Sequence, residues 1–143
     1  MWPTGVSRID NVPAAGHRRF YTSQRFTLNL TRADMRHVGH SPNVRLLEAA
    51  ACGAAIISDA CNGLEDFFEP YVEILPASTT ADILQYLEMS DAERRTIGQR
   101  ARDRVLAAHT SDHRAVELEA YVAEAMGMHE LARTRKTANQ TCN

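Results

Sequence analysis

Residues 41–65, SPNVRLLEAAACGAAIISDACNGLE, constrain this chain more than any other stretch. They read as a loop, a helix opening, a glycine stop, a buried strand and a second loop. Ser41 suits the cap of the helix, and Pro42 its first position, where an N–H has no intrahelical partner. Val44, Leu47 and Ala51, with Leu46 and Ala50, predict an apolar face, and Gly53 predicts the stop. Residues 54–58, AAIIS, form the uninterrupted apolar run that a parallel strand covered on both faces requires. Arg45 and Glu48 interrupt this otherwise buried unit near the helix start, where the dipole and the unpaired N–H groups attract an anion.

On either side the elements follow the same logic. Residues 7–12 read as a short edge strand, residues 13–19 as loop, and residues 20–23 as the start of a short helix. Residues 26–30, FTLNL, alternate apolar with polar side chains and predict a strand. A ten-residue connection over 31–40 follows, longer than most strand-to-helix loops, and such loops are often functional. Beyond the central unit, residues 63–68 predict one helical turn halted by Pro70. Residues 72–76 predict a strand near a sheet edge, because Pro76 cannot donate to a ladder. Ile83, Leu84 and Leu87 mark an amphipathic helix over 79–89. Ser90 and Glu93 form a capping box for the next helix, whose Ile97, Ala101, Val105 and Ala108 share one face. Thr110 starts a last helix with Ala115, Leu118, Tyr121, Val122 and Ala125 on its apolar side. This order predicts an α/β fold, a partial Rossmann-like parallel sheet of three or four strands flanked by helices, with two or three helices at its C-terminal end. The domain spans residues 1–126, and residues 127–143 read as a disordered tail.

Composition narrows the function. The chain has 143 residues, 44% hydrophobic and 24% charged, with a formal net charge of −2. That balance gives no electrostatic reason to expect nucleic acid or a membrane surface as partner. No run of 18 apolar residues exists, so no transmembrane segment is expected, and the first ten residues lack a signal-peptide core. A cytoplasmic protein is the expectation. Cys52, Cys61 and Cys142 are too few for a disulfide framework and read as thiols, two of them packed in the core. Asn29 and Asn139 match the glycosylation triplet, which means little without secretion.

In open α/β sheets ligands bind beyond the carboxyl ends of the strands. Thr31, Arg32 and His40 follow one strand; Ser58, Asp59 and residues 63–65 follow the next. Backbone N–H groups, a hydroxyl and two arginines suit a phosphate, and the Glu48 carboxylate can accept from both hydroxyls of a ribose. A phosphorylated sugar or nucleotide is the ligand class this chemistry favours, although neither a Walker sequence nor GxGxxG is present. Plainer roles exist for the same residues. Arg45 and Glu48 are spaced for a helix-surface ion pair worth ~0.2–0.5 kcal/mol; Asp59 fits a turn; Arg32 fits a solvated strand end. His109 and His113 have zinc-ligand spacing, but with Thr110 as the cap, His109 falls outside the helix and no third ligand is evident.

The segments RLLEAAACG (45–53), IISD (56–59), GLEDFFEP (63–70) and EIL (73–75) resemble the spore-maturation type of glycosyltransferase-like proteins, bacterial relatives of the retaining GT-B glycosyltransferases. NLTR (29–32), SPNVR (41–45) and HTSDHRAVEL (109–118) are similar too. The resemblance implies the C-terminal, donor-binding half of a GT-B fold, lacking its earliest strands. It implies that Glu48 holds the ribose hydroxyls, that the loop and helix start Ser41, Pro42, Asn43 and Val44 meet the diphosphate, and that Gly63, Leu64 and Glu65 lie beneath the donor. Arg45 or Arg32 would then stabilise the charge on the leaving group. Related enzymes carry a second glutamate eight positions before Glu48, and here that place is His40. The substrate implied is a nucleotide-diphosphate sugar, with no cofactor and no metal, and the partner is an N-terminal acceptor domain or a dimer mate. The alternatives are a catalytically inactive α/β nucleotide-binding or interaction module on the same scaffold, and a phosphosugar-processing enzyme of another α/β class. No catalytic residue is assigned.

Overall fold

The apolar run after Gly53 becomes the middle strand of a three-stranded parallel sheet, order β1-β2-β3. In the computed structural model, which describes residues 4–6, 9, 11–32, 35 and 43–126, the elements are α1 (Ala14–Thr22), β1 (Thr27–Asn29), α2 (Val44–Ala51), β2 (Ile56–Asp59), β3 (Leu75–Ala77), α3 (Thr80–Leu87), α4 (Asp91–Ala108) and α5 (Ser111–Ala125). The chain divides into two compact units, residues 1–106 and 107–143. Residues 127–143 lie outside the described residues, so the tail expected there does too.

The first unit is the α/β domain. β2 points Ile56 to one side and Ile57 to the other, as the two-residue period of a strand demands. Ile56 joins a cluster with Tyr21 of α1, Leu46, Ala49 and Ala50 of α2, Leu64, Phe68 and Ile74. Ile57 joins a second cluster with Leu75, Ala77 and Ile97, capped by Ile83, Tyr86 and Met89. α4 serves both, sending Ala101 and Val105 to the first cluster and Ile97 to the second, on the predicted stripe. Cys52 and Cys61 pack partly buried against the first cluster, as expected.

α2 ends as its sequence requires. The Gly53 N–H donates to Ala50 O at 2.8 Å and the Ala54 N–H to Ala49 O at 3.1 Å, with Gly53 at φ +73°. That pair of bonds is a Schellman stop, which needs the left-handed conformation glycine adopts without strain. Its start differs from the expectation. Asn43, not Ser41, caps the helix, its side chain accepting from the Arg45 N–H at 3.0 Å, and the first helical residue is Val44. The buried stripe is accordingly Leu46, Ala49 and Ala50, at i, i+3, i+4, which leaves Val44 and Ala51 exposed.

Three further expectations are corrected. Residues 13–19, read as loop, begin helix α1; Ala14, Ala15, Arg18 and Arg19 are good helix formers, and the helix is anchored by Tyr21, its one buried residue. No strand appears at the described positions 9, 11 and 12. β1 forms where expected, and it is its polar side chains that are buried: Thr27 and Asn29 lie inside, while Leu28 is 48% and Leu30 62% exposed. In register, Leu28 lies beside Ile57. Ile57 is covered by Ile97 of α4, by Ile83, Tyr86 and Met89, and by Phe26 just before β1, whereas Leu28 itself stays outside that cluster. Buried Asn29 is satisfied in part by donating from Nδ2 to Ser58 Oγ at 3.0 Å, and at 1% exposure it cannot carry a glycan. The strand predicted over 72–76 lies slightly later than expected, at Leu75–Ala77, and β3 is an edge strand containing Pro76.

Both later helices start on capping boxes. Ser90 and Glu93 exchange bonds as predicted, with Ser90 Oγ donating to Glu93 Oε2 at 2.6 Å. At α3, Asp82 Oδ2 accepts from the Ser78 and Thr79 N–H groups at 2.9 and 2.8 Å, while Thr79 Oγ1 accepts from the Asp82 N–H. The Ser78 and Thr79 backbone bonds, followed by the Thr79 hydroxyl, hold the Asp82 carboxyl below its ordinary value. A depressed folded-state pKa contributes stability that is present above the unfolded value and lost as pH falls towards the folded one. Asp82→Asn is therefore expected to melt below wild type at about pH 7 and to converge on it below about pH 4. Thermal melts across that range check this, and a gap that does not narrow in acid would count against the capping role.

In the second unit Thr110 caps α5, with Thr110 Oγ1 2.6 Å from His113 Nδ1. The apolar positions of α5 keep their predicted spacing, and none is buried. His109 stands before the helix with Nδ1 2.7 Å from Arg114 Nη2. Among the described residues no group of three or more His, Cys, Asp or Glu is placed to hold a metal ion, and no helix is long and apolar enough to cross a membrane.

Candidate functional site

The connection from β1 to β2 runs through α2, so α2 opens at the carboxyl edge of the sheet, where the strands of an open α/β fold deliver their ligands. The same edge is organised by a polar seam. Asp59, ending β2, accepts at Oδ1 from the Thr31 N–H at 3.0 Å and from the Thr31 hydroxyl at 2.9 Å, which fixes the chain as it leaves β1. Ser58 Oγ accepts from Asn29 and donates to Asp59 O at 3.2 Å. Asn29 Oδ1, buried in this seam, has no hydrogen-bond partner among the described residues.

One turn inside α2, Glu48 is partly exposed, its side chain 39% accessible. It does not pair with Arg45 among the described salt bridges. Instead, the Tyr21 hydroxyl donates to Glu48 Oε2 at 3.5 Å, and His17 Nδ1 stands 3.7 Å from the same oxygen. The His17 ring packs edge-on to Tyr21, with centroids 5.9 Å apart. Burial pushes the Tyr21 hydroxyl above the usual phenol range, and the Glu48 charge adds to the effect, so Tyr21 stays a protonated donor. His17 Nε2 lies 2.9 Å from Val12 O, an acceptor only, and must therefore carry a hydrogen. The ring can then offer a donor to Glu48 only as imidazolium.

Residues 1–120 match the family model described as glycosyl transferase-like. The chain belongs to that family. No match is found among curated proteins. The match covers the whole α/β unit and the first part of α5.

Within this glycosyl transferase-like domain, the residues singled out from sequence fall into different situations. His40 and Ser41 lie outside the described residues. Arg32, just past β1, and Val44 and Arg45, opening α2, are exposed at the carboxyl edge. Asn43 is engaged as the cap of α2, which occupies the Arg45 N–H. Gly63 is buried at φ +89°, Leu64 turns into the core, and Glu65 is exposed. Any contact from that loop to a ligand would therefore come from its backbone or from Glu65, not from the Leu64 side chain. The reading from sequence missed His17 and Tyr21. Nothing local marks them, because Tyr21 meets Glu48 across 27 residues of chain.

Proposed function

We propose that this domain is the donor-nucleotide-binding part of a GT-B-type glycosyltransferase of the spore-maturation kind, which moves a sugar from a nucleotide diphosphate to an acceptor. The observation that carries the reading is Glu48, a half-exposed carboxylate one turn inside the helix that opens at the ligand edge of a parallel sheet. Its oxygens suit the vicinal hydroxyls of a ribose, which demand acceptors. The diphosphate lies at the α2 opening, where the helix dipole and the Arg45 and Arg32 guanidinium groups offset the charge that grows on the leaving group. The loop over 63–65 lies beneath the donor. An N-terminal acceptor domain or a second copy completes the cleft, so binding rather than turnover is expected of this chain alone.

Titration of UDP, GDP and ADP into wild type and Glu48→Ala tests the assignment. Loss of hydrogen bonds to a charged acceptor should weaken binding roughly tenfold or more. Equal affinity in the two proteins would overturn the role given to Glu48.

A further inference from the structure

We infer that His17 and Tyr21 of α1 are positioning residues for Glu48, holding its carboxylate in the pose that receives a ribose diol; the inference rests on the donor-site reading above. Tyr21 is the one buried residue of α1, and its ring alone would serve the core. A hydroxyl at a buried aromatic needs a partner, and the partner here is Glu48. His17 approaches the same oxygen from one turn earlier on α1, with its other nitrogen tied to Val12 O. Both contacts converge on Oε2. Oε1, with both of its lone pairs, is then left for two incoming hydroxyl donors. A glutamate on a helix surface otherwise samples several rotamers, and fixing one before the ligand arrives removes an entropic penalty from binding.

Truncating either group should therefore cost affinity only for ligands that carry the diol. The experiment compares the tightest-binding of UDP, GDP and ADP with its 2′,3′-dideoxy counterpart, in wild type, Glu48→Gln, Tyr21→Phe and His17→Gln, each first shown to be folded by circular dichroism. Wild type should prefer the ribose form by roughly tenfold or more, and Glu48→Gln should remove most of that preference. Tyr21→Phe and His17→Gln should each cut the preference by roughly threefold or more while changing dideoxy affinity less than about twofold. If both α1 variants keep the full preference while Glu48→Gln loses it, the positioning role is overturned and the donor-site reading stands. Equal weakening of both ligand forms by the α1 variants would show a structural role only, and would also overturn the inference. Were wild type to show no binding or no preference for the diol, the donor-site reading would fall and the inference with it.

Discussion

Replacing Phe68 by alanine is expected to remove about 3–5 kcal/mol of stability, a large fraction of the roughly 5–15 kcal/mol a domain possesses. Phe68 is fully buried at the end of the turn that follows β2, in the cluster that joins α1, α2, β2 and α4. Its backbone is held independently, the Phe68 N–H donating to Leu64 O at 3.0 Å, so the turn cannot swing in to fill the space. The loss therefore combines the transfer free energy of the ring with a cavity that relaxes only in part. The melting temperature should fall by about 12 °C or more. Phe68→Leu, which keeps most of the volume, should lose much less. Urea denaturation of both variants provides the measurement, and a Phe68→Ala loss below about 1 kcal/mol would contradict the packing described here.

Gly98→Ala is the second large effect, and its sign runs against helix propensity. In an exposed helix interior, alanine is favoured over glycine by about 1 kcal/mol. On α4, however, a Cβ at position 98 would fall inside the van der Waals envelope of the Gly53 carbonyl oxygen, with Ala55 N and Gly53 C each only 3.1 Å away. All three atoms are backbone, and no rotamer can relieve the contact. They also belong to the stop that ends α2 and the entry to β2, so the collision pushes α4 away from both. Arg102, one turn later, donates from Nε to Ala51 O at 3.2 Å and would lose its geometry in the same movement. A net destabilisation near the upper end of the usual 1–3 kcal/mol for overpacking, about 2 kcal/mol or more, is expected. Arg100→Ala, two residues away on the exposed side, should change stability by less than about 0.5 kcal/mol. Comparable melts for the two variants would rule out the close approach.

These two residues show unequal legibility. Phe68 sits in the turn that residues 63–68 predict and Pro70 halts, so its place in the chain was legible although the burial of its ring was not. Gly98 was invisible as a packing residue, because a lone glycine inside a helical repeat carries no sign of what lies against it. The candidate site divides in the same way. Glu48 stood out as a carboxylate interrupting an apolar helix next to a buried strand. His17 and Tyr21, its partners, lie in a stretch read as loop and the start of a short helix.

The sequence by itself determined what is decided within a few residues. The α/β class, the α2–Gly53–β2 passage, the Ser90–Glu93 and Thr110 caps and the buried stripe of α4 all depend on hydrogen bonds and periodicities that close over four residues or fewer. Only the tertiary structure decided which face of β1 is buried. Alternation in FTLNL marks two faces but not which is covered; Phe26 joins the cluster around Ile57, while Leu28, beside Ile57 in register, is left 48% exposed. It also decided that α1 brings Tyr21 and His17 to Glu48, a meeting set by the path of the chain around the sheet. The carboxylate was legible as an exception in its own helix, whereas the pose that suits it to a diol belongs to contacts between two helices.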